Sequence, residues 1–265
     1  MSEMLAWVLL AILQGFTEFL PISSSGHLLL AEQAFGMAGQ GLVMEVAVHL
    51  GTLMAVLAYF RRECWAMARS MVCLNNADYV ADRRLFGLLC VATVPVCVVG
   101  LLAHDWIASV LQQTVIMAWA TVVFGVVLGL ADRFGRHQRT MAQLTWRDAL
   151  LIGLAQVLAL IPGTSRSGIT LTAGLFGGLG REAAARFSFL LSIPTIMAAG
   201  ALESLKLAGS AEPVQWVPLL LAATISAVIA VLTIHFFLRW LERIGLMPFV
   251  IYRILLGALI LVCFV

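Results

Sequence analysis

Apolar residues run along this chain in long blocks rather than in alternation. A helix that crosses a bilayer needs about 20 mainly apolar residues. Six blocks meet that length, at roughly 42–60, 85–103, 113–130, 183–203, 216–237 and 246–265. Two further apolar regions, 3–36 and 148–180, are interrupted near their middle, the first at Pro21 and the second at PGTSRSG, residues 162–168. Proline lacks a backbone N–H and clashes with the preceding turn, so it ends a helix. Each interrupted region therefore yields two pieces too short to cross. They are predicted to enter, turn at mid-depth and leave on the same side. Irregular backbone at that depth is tolerated only where it is buried in protein or lines a wet cavity.

The pattern repeats. The two broken regions align without gaps at an offset of 141, which sets Pro21 on Pro162, Ser24 on Ser165 and Phe35-Gly36 on Phe176-Gly177. A broken hairpin followed by three spans occurs in each half. A hairpin adds no crossing and three spans add an odd number, so the second half is inverted relative to the first. The expected fold is all-α and integral to the membrane, one domain over 1–265 built from inverted repeats 1–130 and 142–265. Such repeats often place the working site near the midplane, at interrupted helices.

Composition agrees with this reading. The chain is 62% apolar and 11% charged, with a mean hydropathy of +1.01, whereas a soluble domain is roughly 25% charged. A soluble globular domain is excluded, and nothing points to nucleic acid. The first block carries Glu3, Gln14 and Glu18 and lacks a basic start, which argues against a cleaved signal peptide. The net charge of +2 says little, but its placement says more. Every basic residue except Lys206 is arginine. With six spans and two hairpins, Arg61, Arg62, Arg69, Arg83, Arg84, Arg133, Arg136, Arg139, Arg147, Arg181, Arg239 and Arg243 fall on one side, and only Lys206 on the other. The positive-inside rule makes the arginine side cytoplasmic and leaves both termini outside. Five cysteines show no CxxC or CxxH spacing, so neither structural zinc nor a disulfide framework is expected.

Within the breaks the residue types change. LQGFTEFLPISSSGHLLL, residues 13–30, places Gln14 and Glu18 on one helix face, four apart. Pro21 ends that helix, Ser23, Ser24 and Ser25 stand where the next begins, and His27 follows one turn later. The second break repeats the plan with Pro162-Gly163, Thr164, Ser165, Arg166 and Ser167. Serine and threonine cap helix starts. Two such starts at mid-depth offer free N–H groups and positive dipole ends suited to phosphate, and Arg166 adds a planar two-pronged donor for phosphate oxygens. Blander readings stand beside these: Ser24 as a simple cap, Glu18 as the buried partner of Arg166, His27 as a polar core residue. Glu45 and His49 share a face of the first full span and are expected to point inward, as a structural pair, with Glu45 alone counted among the substrate-binding candidates. Arg186 reads as a membrane-edge anchor, and His235, Glu203 and Arg253, near span ends, are expected to snorkel. Ionisable groups at mid-bilayer are expensive and mark function by default.

EFLPISSSGH and PGTSRSGIT closely resemble the two signature motifs of the undecaprenyl-diphosphate phosphatase family, the bacitracin-resistance proteins, and the resemblance extends over essentially the whole chain. It implies removal of the terminal phosphate of undecaprenyl diphosphate at the outer face of the bacterial inner membrane, which regenerates the carrier for cell-wall synthesis. By motif match Glu18, Ser24, His27 and Arg166 stand at the family's functional positions. The family's first motif usually opens with Glu where this chain has Gln14, which can coordinate a cation or bond phosphate but cannot act as a base. SSGH followed later by SR also resembles the acid-phosphatase superfamily, but that pattern needs a histidine soon after Arg166, and none follows.

The expected substrate is a long isoprenyl diphosphate whose tail stays in the lipid. Arg166, Ser165, Thr164, Ser167, Ser23 and Ser25, with Gln14 and Glu45, are the expected binding residues. Ser24 is the candidate nucleophile with His27 as acid/base partner, and a water activated beside Ser24 is the alternative. A lone carboxylate beside a diphosphate is repulsive, so Glu18, with Gln14, is expected to work through a divalent cation, Mg²⁺ or Ca²⁺. The rival class is a lipid-phosphate transporter using the same midplane site.

Overall fold

The structure, a computed structural model, describes residues 3–35, 41–103, 107–111, 113–207 and 216–264. Its main elements are α-helices: α1 (Glu3–Thr17), α2 (Ser24–Phe35), α3 (Gly41–Tyr59), α4 (Arg61–Val72), α5 (Val80–Leu102), α6 (Thr114–Phe134), α7 (Trp146–Val157), α8 (Arg166–Phe176), α9 (Arg181–Leu207), α10 (Trp216–Ile244) and α11 (Met247–Cys263). Four stretches, Ala77–Leu102, Thr114–Phe134, Arg181–Leu205 and Trp216–Ile244, are long and apolar enough to cross a membrane. The block 42–60 becomes α3, which meets α4 at a bend of 80° and counts as a fifth span only together with it. The bend falls where the apolar run meets Arg61-Arg62, and α4, with four charged residues in twelve, is amphipathic. The block 246–265 forms the 17-residue α11, shorter than the others.

Both interrupted regions are broken where the sequence places the break. α1 ends at Thr17, whose hydroxyl turns back to the Leu13 carbonyl at 2.7 Å, and α2 starts at Ser24. α7 runs through a 3-10 turn, Leu158–Leu160, and helix resumes at Arg166. At about 1.5 Å per residue, the 15 residues of α1 reach roughly 22 Å, short of a hydrocarbon core about 30 Å thick. The second break needs glycine at its turn. Gly163 has φ +92°, and a Cβ there would collide with the Met117 backbone of α6.

Around the breaks the helices pack through small residues. α3 lies against α10, where Gly51 abuts the Ala223 backbone and the Ser226 hydroxyl reaches the Val48 carbonyl at 2.9 Å. α5 lies against α7, where Gly153 abuts the Ala92 backbone. Small residues let backbones approach closely where lipid supplies no hydrophobic drive. Phe19, in the first break, packs into a buried core with Phe187, Phe189, Leu190 and Leu191, its ring edge-on to that of Phe189.

Arg253 corrects the snorkelling expectation. Its exposure is 0%, despite its position in the second turn of α11. It donates to the carbonyls of Gly163 at 2.9 Å, Thr121 at 3.1 Å and Pro21 at 3.3 Å. A broken helix leaves carbonyls without intrahelical donors, and lipid offers none. One guanidinium satisfies a carbonyl from each break, and Gly125 and Gly168 leave the space it occupies. Ser167 adds a second cross-tie, donating to the Leu20 carbonyl at 2.8 Å.

Candidate active site

The two helix starts share one local geometry. Ser23 and Ser165 adopt the positive φ values 72° and 69°. Each hydroxyl accepts the N–H three residues on, Gly26 at 3.4 Å and Gly168 at 3.1 Å. Each also lies beside the hydroxyl two residues on, Ser25 at 3.3 Å and Ser167 at 3.2 Å. The equivalence runs at an offset of 142, which corrects the gapless alignment at 141. The prolines align at 141, and the longer turn of PGTS relative to PIS shifts the helix starts that follow it by one. Ser24 is therefore the counterpart of Arg166, not of Ser165, and these two residues open α2 and α8.

Both converge on Glu18. Its Oε1 accepts from Arg166 Nη2 at 2.8 Å, and its Oε2 accepts from Ser24 Oγ at 2.8 Å and Gln14 Nε2 at 3.0 Å. The carboxylate is buried, 9% exposed. Arg166 is held from a second side, donating through Nη1 to the Ser188 carbonyl at 3.2 Å, with its guanidinium 5.9 Å from the centre of the Phe19 ring. Ser188 is fixed in turn by Thr170, hydroxyl to hydroxyl at 2.7 Å. A cavity of about 260 Å³ opens over this cluster, lined by Glu18, Ser23, Ser24, Ser25, Ser165 and Arg166, with His49 and Glu203 on its walls.

Not every sequence candidate reaches the cavity. Thr164 and Ser167 are buried behind it, and the Thr164 hydroxyl has no hydrogen-bond partner among the described residues. Glu45 is exposed and does not line the cavity, in contrast to its expected inward position. His27 differs from its expected pairing with Ser24. Its Nδ1 lies 2.7 Å from the Ser23 carbonyl and its Nε2 2.6 Å from the Tyr252 hydroxyl, with the two rings stacked. Ser24 meets Glu18 instead. His49, absent from the sequence-based site, brings Nε2 to 3.9 Å from Glu18 Oε2. Its one signal in sequence was a helix face shared with Glu45.

Among the described residues no group of three or more His, Cys, Asp or Glu is arranged to hold a metal. The donors at the cluster are oxygens of Glu18, Ser24 and Gln14, and the buried Gln14 Oε1 has no partner among the described residues. Mg²⁺ is commonly held by one or two carboxylates together with substrate phosphates. These are the oxygens that a hard cation shared with a phosphate-bearing substrate would use, Glu18 from the cavity wall and the fully buried Gln14 from behind it.

The fold and this cluster define a class, an all-helical, multi-pass membrane protein whose paired, interrupted helices hold a carboxylate, an arginine and a serine around a cavity. Within that class, the chain belongs to the bacitracin resistance protein BacA family, whose profile matches residues 7–259. It is 53% identical over 256 residues to the undecaprenyl-diphosphatase of Nitrosococcus oceani, covering 96% of this chain and 97% of that one. The undecaprenyl-diphosphatase of Alteromonas mediterranea is 50% identical over 255 residues, 96% of each chain. Undecaprenyl-diphosphatase 2 of Stutzerimonas stutzeri is 48% identical over 266 residues, 99% of this chain and 98% of that one.

Proposed function

We propose that the protein hydrolyses undecaprenyl diphosphate to undecaprenyl phosphate and inorganic phosphate, the activity its relatives' names carry. The observation that supports this most directly is the single carboxylate shared by Ser24 and Arg166, the residues that open the two facing helices. Phosphoryl transfer needs little beyond positioning and charge stabilisation. Arg166 and the N–H groups at the starts of α2 and α8 hold the phosphates. Ser24 Oγ, already donating to Glu18, attacks the terminal phosphorus and passes its proton to that carboxylate. The bond from phosphorus to the bridging oxygen breaks, and its electron pair leaves with the lipid monophosphate. Water then attacks the phosphoserine, the bond to Oγ breaks, and Glu18 returns the proton to Ser24. A divalent cation held by Glu18 and Gln14 would offset phosphate charge.

The finer topology belongs to the same reading. Six spans and two re-entrant hairpins form inverted repeats, with both termini outside and the cavity opening to the outer side of the bacterial inner membrane. The isoprenyl tail remains in lipid between helices. The ion pairs Arg139–Asp148, Arg181–Asp132 and Arg186–Glu63 join residues from different parts of the chain, which supports placing them on one side of the membrane. No observation favours lipid transport as the function. The test is phosphate release from undecaprenyl diphosphate by purified protein in detergent, where transport is impossible. Wild type should release phosphate and Glu18→Gln should not; an inert wild type would refute the proposal.

A further inference from the structure

We infer that an anionic glycerophospholipid binds where the turn between α10 and α11 meets the end of α6, with its phosphate among arginines and one chain in the apolar groove beside them. Two cavities meet there and share Ile244. The groove, about 470 Å³, lies between α1, α10 and α11 and is lined by Phe16, Leu20, Leu232, Phe236, Trp240 and Ile244. The Thr233 hydroxyl on its wall is turned back to the Ile229 carbonyl at 2.9 Å, which leaves a surface matched to hydrocarbon. The second cavity, about 420 Å³, is walled by Arg133, Arg181, Arg243 and Asp132.

Charge decides the headgroup. Asp132 is 8% exposed and already held by Arg181 Nε at 2.5 Å and the Leu246 N–H at 3.3 Å. Arg133 and Arg243 are exposed and make no hydrogen bond or ion pair among the described residues. Three arginines against one carboxylate leave two positive charges on the pocket. The C-termini of α6 and α10 also lie there and contribute roughly half a negative charge each, so the arginines prevail. A phosphodiester meets free guanidinium donors. The ammonium of a zwitterionic headgroup meets no free carboxylate, because Asp132 is engaged and Glu242 does not line the pocket. The charge stands at one end of the groove only, which matches a lipid with one polar end. Trp240, 50% exposed, belongs to the groove near that end, and such amphipathic rings mark the bilayer interface. On the topology proposed above this is the cytoplasmic leaflet, where basic pockets between helices take anionic headgroups. The groove also reaches Phe16 and Leu20, which flank Glu18 in the chain, so a bound lipid chain packs against the outside of the first break.

The experiment titrates phosphatidylglycerol into delipidated protein in detergent and reads the melting temperature and the lipid retained after gel filtration. At about ten times its Kd, phosphatidylglycerol should raise the melting temperature by roughly 3–6 °C. Phosphatidylcholine and inorganic phosphate should not. The double variant Arg133→Gln, Arg243→Gln should bind phosphatidylglycerol on the order of 30-fold more weakly. The double variant Arg62→Gln, Arg69→Gln removes the same charge from exposed positions on α4 that do not line the pocket, and should bind within about twofold of wild type. Equal protection by phosphatidylcholine or by inorganic phosphate overturns the inference. So does a pocket variant that binds as tightly as wild type, or an α4 variant that loses as much as the pocket variant. The comparison of ligands on wild-type protein needs no variant to fold, and no reading needs turnover, so the phosphatase reading stands or falls separately.

Discussion

Replacing Arg166 by lysine separates charge from shape at the site. Arg166 gives Nη2 to Glu18 at 2.8 Å and Nη1 to the Ser188 carbonyl at 3.2 Å, which leaves its remaining N–H groups for phosphate. Lysine keeps one positive charge but has no planar fork, and a single ammonium cannot hold carboxylate and carbonyl while also gripping two phosphate oxygens. The loss of one charge-assisted hydrogen bond at a desolvated phosphate costs on the order of 2–4 kcal/mol, roughly 30- to 1000-fold in rate. The fold should survive, because Arg253 and Ser167 tie the two breaks together independently of Arg166. The assay is phosphate release by the purified variant, with a thermal melt in detergent to confirm folding. A well-folded Arg166→Lys enzyme with near wild-type kcat/KM would remove Arg166 from phosphate binding and reduce it to a partner for Glu18.

Ser24→Ala should reduce phosphate release to background while substrate still binds. If a water attacks directly and Ser24 only caps α2 or touches phosphate, the loss should be about 1–2 kcal/mol, some tenfold, so a variant retaining a tenth of wild-type turnover excludes the serine nucleophile. Strong chelation should abolish release and added Mg²⁺ or Ca²⁺ should restore it; full activity after exhaustive chelation would leave Glu18 a proton carrier alone. Arg253→Met should cost on the order of 3 kcal/mol or more in stability, because three buried carbonyls lose a charged donor, and a melting temperature equal to wild type would show that they find other partners. With native cysteines removed, a cysteine at Ser210, outside the described residues, should react with an impermeant thiol reagent on whole cells and one at Gln138 should not. The reverse labelling would invert the topology.

The breaks were legible because their chemistry is local. A proline without an N–H and a serine able to accept one mark a helix end and a helix start whatever surrounds them. The meeting of Glu18 with Arg166 was legible as an alternative for the same reason, since a buried carboxylate in an apolar chain needs a cation. Arg253 was hidden because its partners are backbone carbonyls, which leave no trace in sequence, and they lie 90, 132 and 232 positions away. The register of the repeat was misread by one because the prolines were aligned rather than the serines that cap. His49 and Glu45 lie one turn apart, yet only His49 reaches the cavity. Helical spacing states which residues share a face, and packing against α10 decides where that face looks.

The bonds that Arg253 makes also bear on how the protein comes into being. The residue sits in the last helix, and two of the three carbonyls it clamps, those of Pro21 and Gly163, belong to breaks made far earlier in synthesis. Until α11 inserts, the growing chain holds two interrupted hairpins whose exposed carbonyls have no common donor. The reactive centre is therefore finished only when the final segment enters the bilayer. A chain that stops before α11 keeps both breaks without this shared donor, because Arg253 lies in the last helix.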